Sequence, residues 1–284
     1  MTALQAAFLG LLQGLTEFLP VSSTAHLTLV ARFLGLIDAE HVESWTSFLA
    51  VVQLGTLAAV LIYFFRDLIS VTTKAAIEVR NQGVTRNLLR SSPDVRLLCS
   101  LLIGTIPIGL AGVASSGLLH GAITKNLMVI SASLIVLALL LWIAEKTARH
   151  ARDMDAITFV DALVIGLAQM LALIPGSSRS GTTITAGLFL NLKRHAAARF
   201  SFLLSVPAVT ASGVHELLSL TADPFRFGVA NLIIATLVSA ISGYAAIAWL
   251  LKFLMNRTTM VFVWYRLGLG VIILLMISIG MVEP

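Results

Sequence analysis

Charge is what this sequence has least of. Asp, Glu, Lys and Arg make up 12% of its 284 residues, against about a quarter in soluble domains. That shortage, with 58% hydrophobic residues and a mean hydropathy of +0.96, excludes a soluble globular domain and identifies a polytopic membrane protein. Cysteine is nearly absent. Cys99 is the single one, so no internal disulfide can form, and its place in an apolar run reads as a small core residue rather than a redox group. A basic segment ahead of the first apolar stretch is also lacking, so no cleaved signal peptide is expected. The formal charge is +5, but the basic residues sit in short loops. They read as topology signals, and nucleic acid is not an expected partner.

Long apolar runs are abundant. Six are long enough to cross about 30 Å of hydrocarbon, which takes about 20 residues each. They lie near Trp45–Phe65, Leu97–Leu118, Leu127–Ala144, Ala197–Leu218, Val229–Phe253 and Val261–Ile279. Two further apolar regions, 3–35 and 157–193, are interrupted. One breaks at Pro20-Val21-Ser22-Ser23-Thr24, the other at Pro175-Gly176-Ser177-Ser178-Arg179. The halves on either side are short for a full crossing, so each region reads as a re-entrant helix hairpin. Such backbone is tolerated at membrane depth only against protein or a water-filled cavity.

The two breaks resemble each other. Phe18–Ser23 aligns with Leu173–Ser178, Ser47-Phe48-Leu49 with Ser201-Phe202-Leu203, and Thr56 with Thr210, at offsets of 154–155. The expected fold is therefore all-α: one integral membrane domain over 1–284, built from repeats at about 1–150 and 151–284. Each repeat has one re-entrant hairpin and three transmembrane helices. Three crossings leave the second repeat inverted relative to the first, an arrangement that puts binding sites near the bilayer midplane. Loop charge fixes an orientation. Arg66, Lys74, Arg80, Arg86, Arg90, Arg96, Lys146, Arg149, Arg152, Lys193, Arg194, Arg199, Lys252 and Arg257 fall on one side, and only Arg32, Lys125 and Arg226 on the other. Fourteen against three places the first side in the cytoplasm and both termini outside. Arg266 reads as an anchor snorkelling from the last helix, and His215 and Glu216 as interface residues.

The chemistry gathers at the breaks. The first carries Gln13, Glu17, Ser22, Ser23, Thr24 and His26. Gln13 and Glu17 are four apart, on one helix face, and Ser23 and His26 share a face if a helix restarts after Pro20. The second carries Gly176, Ser177, Ser178, Arg179, Ser180, Thr182 and Thr183. Each alone has a plainer role: serine and threonine in membrane helices mostly pack or bond backbone, and His26 could hold a carbonyl. Charge at membrane depth is costly and usually marks a site. A helix restarting after Pro-Gly offers free N–H groups and a positive dipole end to a phosphate, and an arginine fork matches phosphate oxygens. Together these are the parts of phosphoryl transfer: an arginine against spreading negative charge, a carboxylate for a cation or proton, and a hydroxyl or water to attack. The rival from another class is an inverted-repeat secondary transporter or polyprenyl-phosphate flippase, which does not require the Glu17, Ser23 and His26 set opposite Arg179.

Gln13–His26 followed by Pro175–Thr183 resembles the two signature regions of the undecaprenyl-pyrophosphate phosphatases, the bacitracin-resistance family, and the likeness runs over nearly the whole chain. The resemblance implies a membrane hydrolase of the bacterial cytoplasmic (inner) membrane, its site open to the outer face. The reaction implied is hydrolysis of undecaprenyl diphosphate to undecaprenyl phosphate and inorganic phosphate, recycling the lipid carrier for peptidoglycan synthesis. By motif position it implies Glu17 and His26 as catalytic, Ser23 as nucleophile or water as attacker, and Arg179 on the diphosphate with Ser178 and Thr183. Ser22, Thr24, Gly176, Ser177 and Ser180 complete the expected head-group site. A divalent cation, Mg2+ or Ca2+, is implied as cofactor, held by Glu17 and Gln13. Many relatives have glutamate at the position of Gln13; glutamine offers a neutral ligand only. The expected partners are a polyprenyl diphosphate and membrane lipids, and a homodimer is compatible with this reading.

Overall fold

The computed structural model describes residues 1–37, 42–114, 126–218 and 224–282. The last residues of the stretch expected to end at Leu118, and Lys125, lie outside them, as do the side chains of Arg86, Arg90, His215 and Glu216. Among the described residues there is no strand, only an isolated bridge between Arg152 and Leu192. Helices carry the fold: α1 (Ala3–Phe18), α2 (Ser23–Phe33), α3 (Val42–Tyr63), α4 (Phe65–Gln82), α5 (Arg86–Ser91), α6 (Pro93–Ala114), α7 (Leu127–Thr147), α8 (Phe159–Gln169), α9 (Arg179–Phe189), α10 (Arg194–Leu218), α11 (Val229–Asn256) and α12 (Met260–Ser278).

Five helices are long and apolar enough to cross a membrane among the described residues: α3 from Ser44, α6, α7, α11 and α12. Their outward faces carry exposed aliphatic and aromatic side chains, including Leu110, Val136, Ile241 and Trp264. That surface identifies an all-α, multi-pass membrane protein. The sixth expected crossing is α10, the longest helix but one. Arg194, His195 and Arg199 at its start and a row of hydroxyls along it make it more polar than the other five. The segment read as a charged loop, Arg66–Arg96, is instead folded as α4 and α5. Helix α4 is amphipathic, with Ile69 and Ile77 exposed and Asp67 bonded to Arg199 at 2.6 Å.

Both interrupted regions form helix pairs. Helix α1 opens on a capping box, Thr2 with Gln5, and α8 on one made by Thr158 and Asp161; each satisfies two otherwise unpaired backbone groups. Helix α1 has 16 residues and α2, α8 and α9 have 11 each, or about 24 and 16 Å at 1.5 Å per residue, short of the roughly 30 Å core. The break falls at Pro20 in one pair and Pro175 in the other, where no N–H is available to continue a helix. After each break a serine caps the next helix from a positive φ. Ser22 has φ 75° and ψ 100°, and Ser178 φ 66° and ψ 109°. Their Oγ atoms accept from Ala25 N and Gly181 N. The structural equivalence therefore runs Ser22 to Ser178, one residue beyond the motif alignment, because the second turn is longer by one residue.

The halves interlock. Helix α1 packs on α11 and α8 on α6, so each hairpin leans on a helix of the other half, while α3 meets α10 and α7 meets α12. Small residues permit the approach. A Cβ at Gly10 would lie 2.3 Å from the Ala235 carbonyl oxygen, and one at Gly166 would lie 2.3 Å from that of Gly104. At one end of the bundle a polar clasp ties loops to helix ends. Arg152 bonds Asp161, Lys193 bonds Asp153 at 2.8 Å, and Glu145 accepts from Arg194 and Thr259. The Lys193 ammonium holds the Asp153 carboxyl below the usual carboxylate range. Gly10→Ala and Gly166→Ala are each expected to lower the thermal midpoint in detergent by a few degrees, at about 1–3 kcal/mol of overpacking. Gly268→Ala, where a Cβ meets nothing within 4 Å, should leave it unchanged.

Candidate active site

Where the two breaks meet, Arg179, the first residue after Ser178, faces Glu17 of the other half, and Ser23, the first residue after Ser22, faces the same carboxylate. Glu17 reaches from the end of α1, Ser23 from the start of α2 and Arg179 from the start of α9. Arg179 Nη2 donates to Glu17 Oε1 at 2.7 Å. Ser23 Oγ donates to Glu17 Oε2 at 2.9 Å, and Gln13 Nε2 donates to the same oxygen at 3.1 Å. Glu17 and the Arg179 side chain are 8% and 14% exposed, so the pair is largely shielded and its charges are strongly felt. A buried carboxylate holding three donors is held in one position, which a catalytic group needs.

These residues open onto a cavity of about 530 Å³. Gln13, Thr16, Glu17, Ser22, Ser23, Thr24, Ser177, Ser178 and Arg179 supply its polar lining, with Thr46, Gln53 and Thr105. Leu27, Leu49, Ile108, Val113, Leu173, Ile174 and Val209 line the rest. Two donors of residues in that polar lining lack a partner among the described residues, Arg179 Nη1 and Ser177 Oγ. Unsatisfied buried donors beside an arginine suit an anionic guest, and the apolar remainder suits an aliphatic one.

Several expected site residues serve elsewhere. His26 does not line the cavity. Its Nδ1–H donates to the Ser22 carbonyl at 2.7 Å, so neutral Nε2 accepts from the Tyr265 hydroxyl, also at 2.7 Å, and the two rings stack with centroids 5.6 Å apart. Both ring nitrogens are occupied, and the expected Ser23–His26 pair is not formed. Gly176, at φ 86°, has its bare face against α7: a Cβ would lie 2.3 Å from Ser133 Oγ. Ser133 Oγ donates to the Pro175 carbonyl. Ser180 Oγ donates to the Leu19 carbonyl at 3.1 Å, which ties the hairpins together, and Thr183 Oγ bonds Arg179 O and Ser201 Oγ at 2.8 and 2.6 Å. Arg266 is no snorkelling anchor: it is fully buried, and its Nη2 donates to the Ser177 carbonyl at 3.0 Å. Thr16, Thr46, Gln53 and Thr105 carried no sequence signal, since single polar residues on apolar helices are common packing groups.

Among the described residues no cluster of three or more His, Cys, Asp or Glu could hold a metal ion. Among the described residues Glu17 is the only carboxylate on the cavity wall, with neutral amide and hydroxyl oxygens around it. That donor set fits a hard divalent cation only as a one-carboxylate site whose other ligands come from bound phosphates and water.

Thr183→Val and Ser180→Ala are each expected to lower the thermal midpoint, at on the order of 1 kcal/mol, and to keep most turnover. Ser177→Ala, which removes a free cavity donor, should leave the midpoint and weaken anion binding; thermal scans and titration with inorganic phosphate check the contrast.

Comparison with known proteins adds an independent line. A family model described as "Bacitracin resistance protein BacA" matches residues 6–272. An undecaprenyl-diphosphatase of Syntrophobacter fumaroxidans is 48% identical over 279 residues, covering 98% of both chains. One of Myxococcus xanthus is 48% identical over 284 residues, covering 100% of this chain and 92% of its own. One of Gloeobacter violaceus is 43% identical over 285 residues, at 99% and 94%.

Proposed function

This chain belongs to the bacitracin-resistance BacA family, and from that membership and the geometry of its cavity we infer that it is an undecaprenyl-diphosphate phosphatase. It releases the terminal phosphate of a polyprenyl diphosphate and returns the monophosphate carrier to envelope synthesis. The observation that carries the mechanism is the buried Glu17–Arg179 pair with Ser23 hydrogen-bonded to the same carboxylate. The apolar lining of the cavity takes the start of the prenyl chain, and the remainder of the tail lies in lipid.

Arg179 orients the head group through the guanidinium nitrogens not held by Glu17, and Ser177 Oγ and the first N–H groups of α9 complete the anion site. Ser23 Oγ attacks the terminal phosphorus. Its proton passes to Glu17 Oε2, along the hydrogen bond already present. The bond from phosphorus to the bridging oxygen breaks, and undecaprenyl phosphate leaves. Water then attacks the phosphoserine phosphorus and the bond from phosphorus to Ser23 Oγ breaks; Ser23 Oγ takes its proton back from Glu17, and inorganic phosphate departs carrying the proton of the attacking water. Glu17 is thus the base in this reading, where motif position implied only that Glu17 and His26 are both catalytic. His26 acts one step back, holding the Ser22 carbonyl and so the turn that presents Ser23. Glu17 and Gln13 are the residues that would hold a divalent cation; when bound it would neutralise charge on the phosphates.

The proline break in each hairpin, the matching serine caps and the exchanged packing support two inverted repeats over about 1–150 and 151–284. The arginine- and lysine-rich clasp supports a cytoplasmic end there, with the site reached from the opposite face of the cytoplasmic membrane.

Phosphate release from undecaprenyl diphosphate by purified protein in detergent tests this function. Arg179→Ala is expected to lower turnover roughly 10³-fold, the scale of other phosphoryl-transfer arginines, and Glu17→Ala should match it within an order of magnitude. Ser23→Ala should abolish phosphoserine trapped by rapid quench with labelled substrate. Near-normal turnover of Arg179→Ala would overturn the site, and a quench without phosphoserine in the wild type would leave water as the attacking group.

A further inference from the structure

Arg266 has no role in the reaction derived above, yet its surroundings are unusual. It is fully buried in α12. Nη2 donates to the Ser177 carbonyl, while Nε and Nη1 have no partner among the described residues. None of the ion pairs among the described residues supplies it with a carboxylate. Its Nη1 sits against the first turn of α9, where a Cβ at Gly181 would lie 2.6 Å away. The guanidinium therefore lies behind the Ser177–Ser178 turn, whose other side lines the cavity.

Two consequences follow from peptide geometry and charge. In a trans peptide the C=O and N–H point in opposite directions. A Ser177 carbonyl held toward Arg266 sends the Ser178 N–H the other way, toward the cavity side of the turn. A cation buried without a counter-ion is unfavourable, and the cavity that Ser177 and Ser178 line lies across that turn.

We propose that Arg266 is a positioning residue for the diphosphate. It fixes the orientation of the Ser177–Ser178 peptide and supplies, from behind the turn, a positive charge that the bound head group neutralises. This rests on the phosphatase reading, since it takes the cavity's guest to be a diphosphate. Arg179 touches that guest; Arg266 acts through the turn.

The test is calorimetric titration of inorganic pyrophosphate into purified protein, beside steady-state kinetics on undecaprenyl diphosphate. Arg266→Met keeps a long buried side chain without charge. It should weaken pyrophosphate binding roughly tenfold or more, equivalent to about 1.4 kcal/mol, and raise KM more than it lowers kcat. Arg266→Lys should bind within about threefold of wild type. A folded Arg266→Met with wild-type pyrophosphate binding overturns the proposal, as does an equal loss in the two variants, which would mean shape rather than charge. If Arg266→Met does not fold, Arg266→Lys decides: a tenfold loss there overturns the charge role and near-wild-type binding upholds it. Phosphate release by the wild type is read separately, so its absence sinks the phosphatase reading, whereas its presence with unaltered Arg266→Met binding sinks only the role of Arg266.

Discussion

The ion pair between Glu17 and Arg179 is the constraint on which the rest of the molecule depends. A carboxylate and a guanidinium in an apolar bundle are tolerable because each neutralises the other at 2.7 Å and further donors complete the carboxylate. Forming that pair requires the ends of two helices, 162 positions apart in the chain, to arrive at one place. The proline breaks, the positive-φ serines and the Ser180–Leu19 bond are the local devices that bring them there. The positive φ of Ser22 and Ser178 costs free energy, and it falls at the two turns that present Ser23 and Arg179.

The exchanged packing explains how such a pair is held to ångström tolerance. Helix α1, which carries Gln13 and Glu17, is seated on α11 of the second half, and α8 is seated on α6 of the first. With glycines at those crossings the backbones touch, so helix separation has little freedom. The register of the turns adds a finer point. Ser23 and Arg179 occupy equivalent places after Ser22 and Ser178, so one scaffold position carries a hydroxyl in one half and a cation in the other. A near-symmetric frame thereby holds an asymmetric set of groups, as attack on one of two phosphates demands.

Much of this was legible in the sequence. Apolar runs of the right length identified the five long apolar helices found among the described residues, Pro-Val-Ser and Pro-Gly-Ser identified both breaks, and the cost of charge in lipid singled out Glu17 and Arg179. What stayed hidden was direction. Spacing puts Ser23 and His26 on one helix face, but only packing against α12 decides that His26 turns to Tyr265 while Ser23 turns to Glu17. Arg266 misled for a related reason: an arginine toward the end of an apolar helix reads as a snorkelling anchor, and its burial depends on which side of α12 meets α9. Helix α4 was missed because its polar face dominates the composition of that stretch. Gly176, Ser180 and Thr183 belong to the motif, yet they hold the frame and do not line the cavity.

The interlocked halves carry a further meaning for how the protein comes into being. When the first hairpin has been made, the helix on which it must rest is still nearly two hundred residues from synthesis. Its short, polar-tipped arms have no seat during that interval. Completion of the centre therefore waits for the end of translation, and the nascent chain has to keep a glutamate-bearing hairpin soluble in lipid or at its edge until α11 arrives.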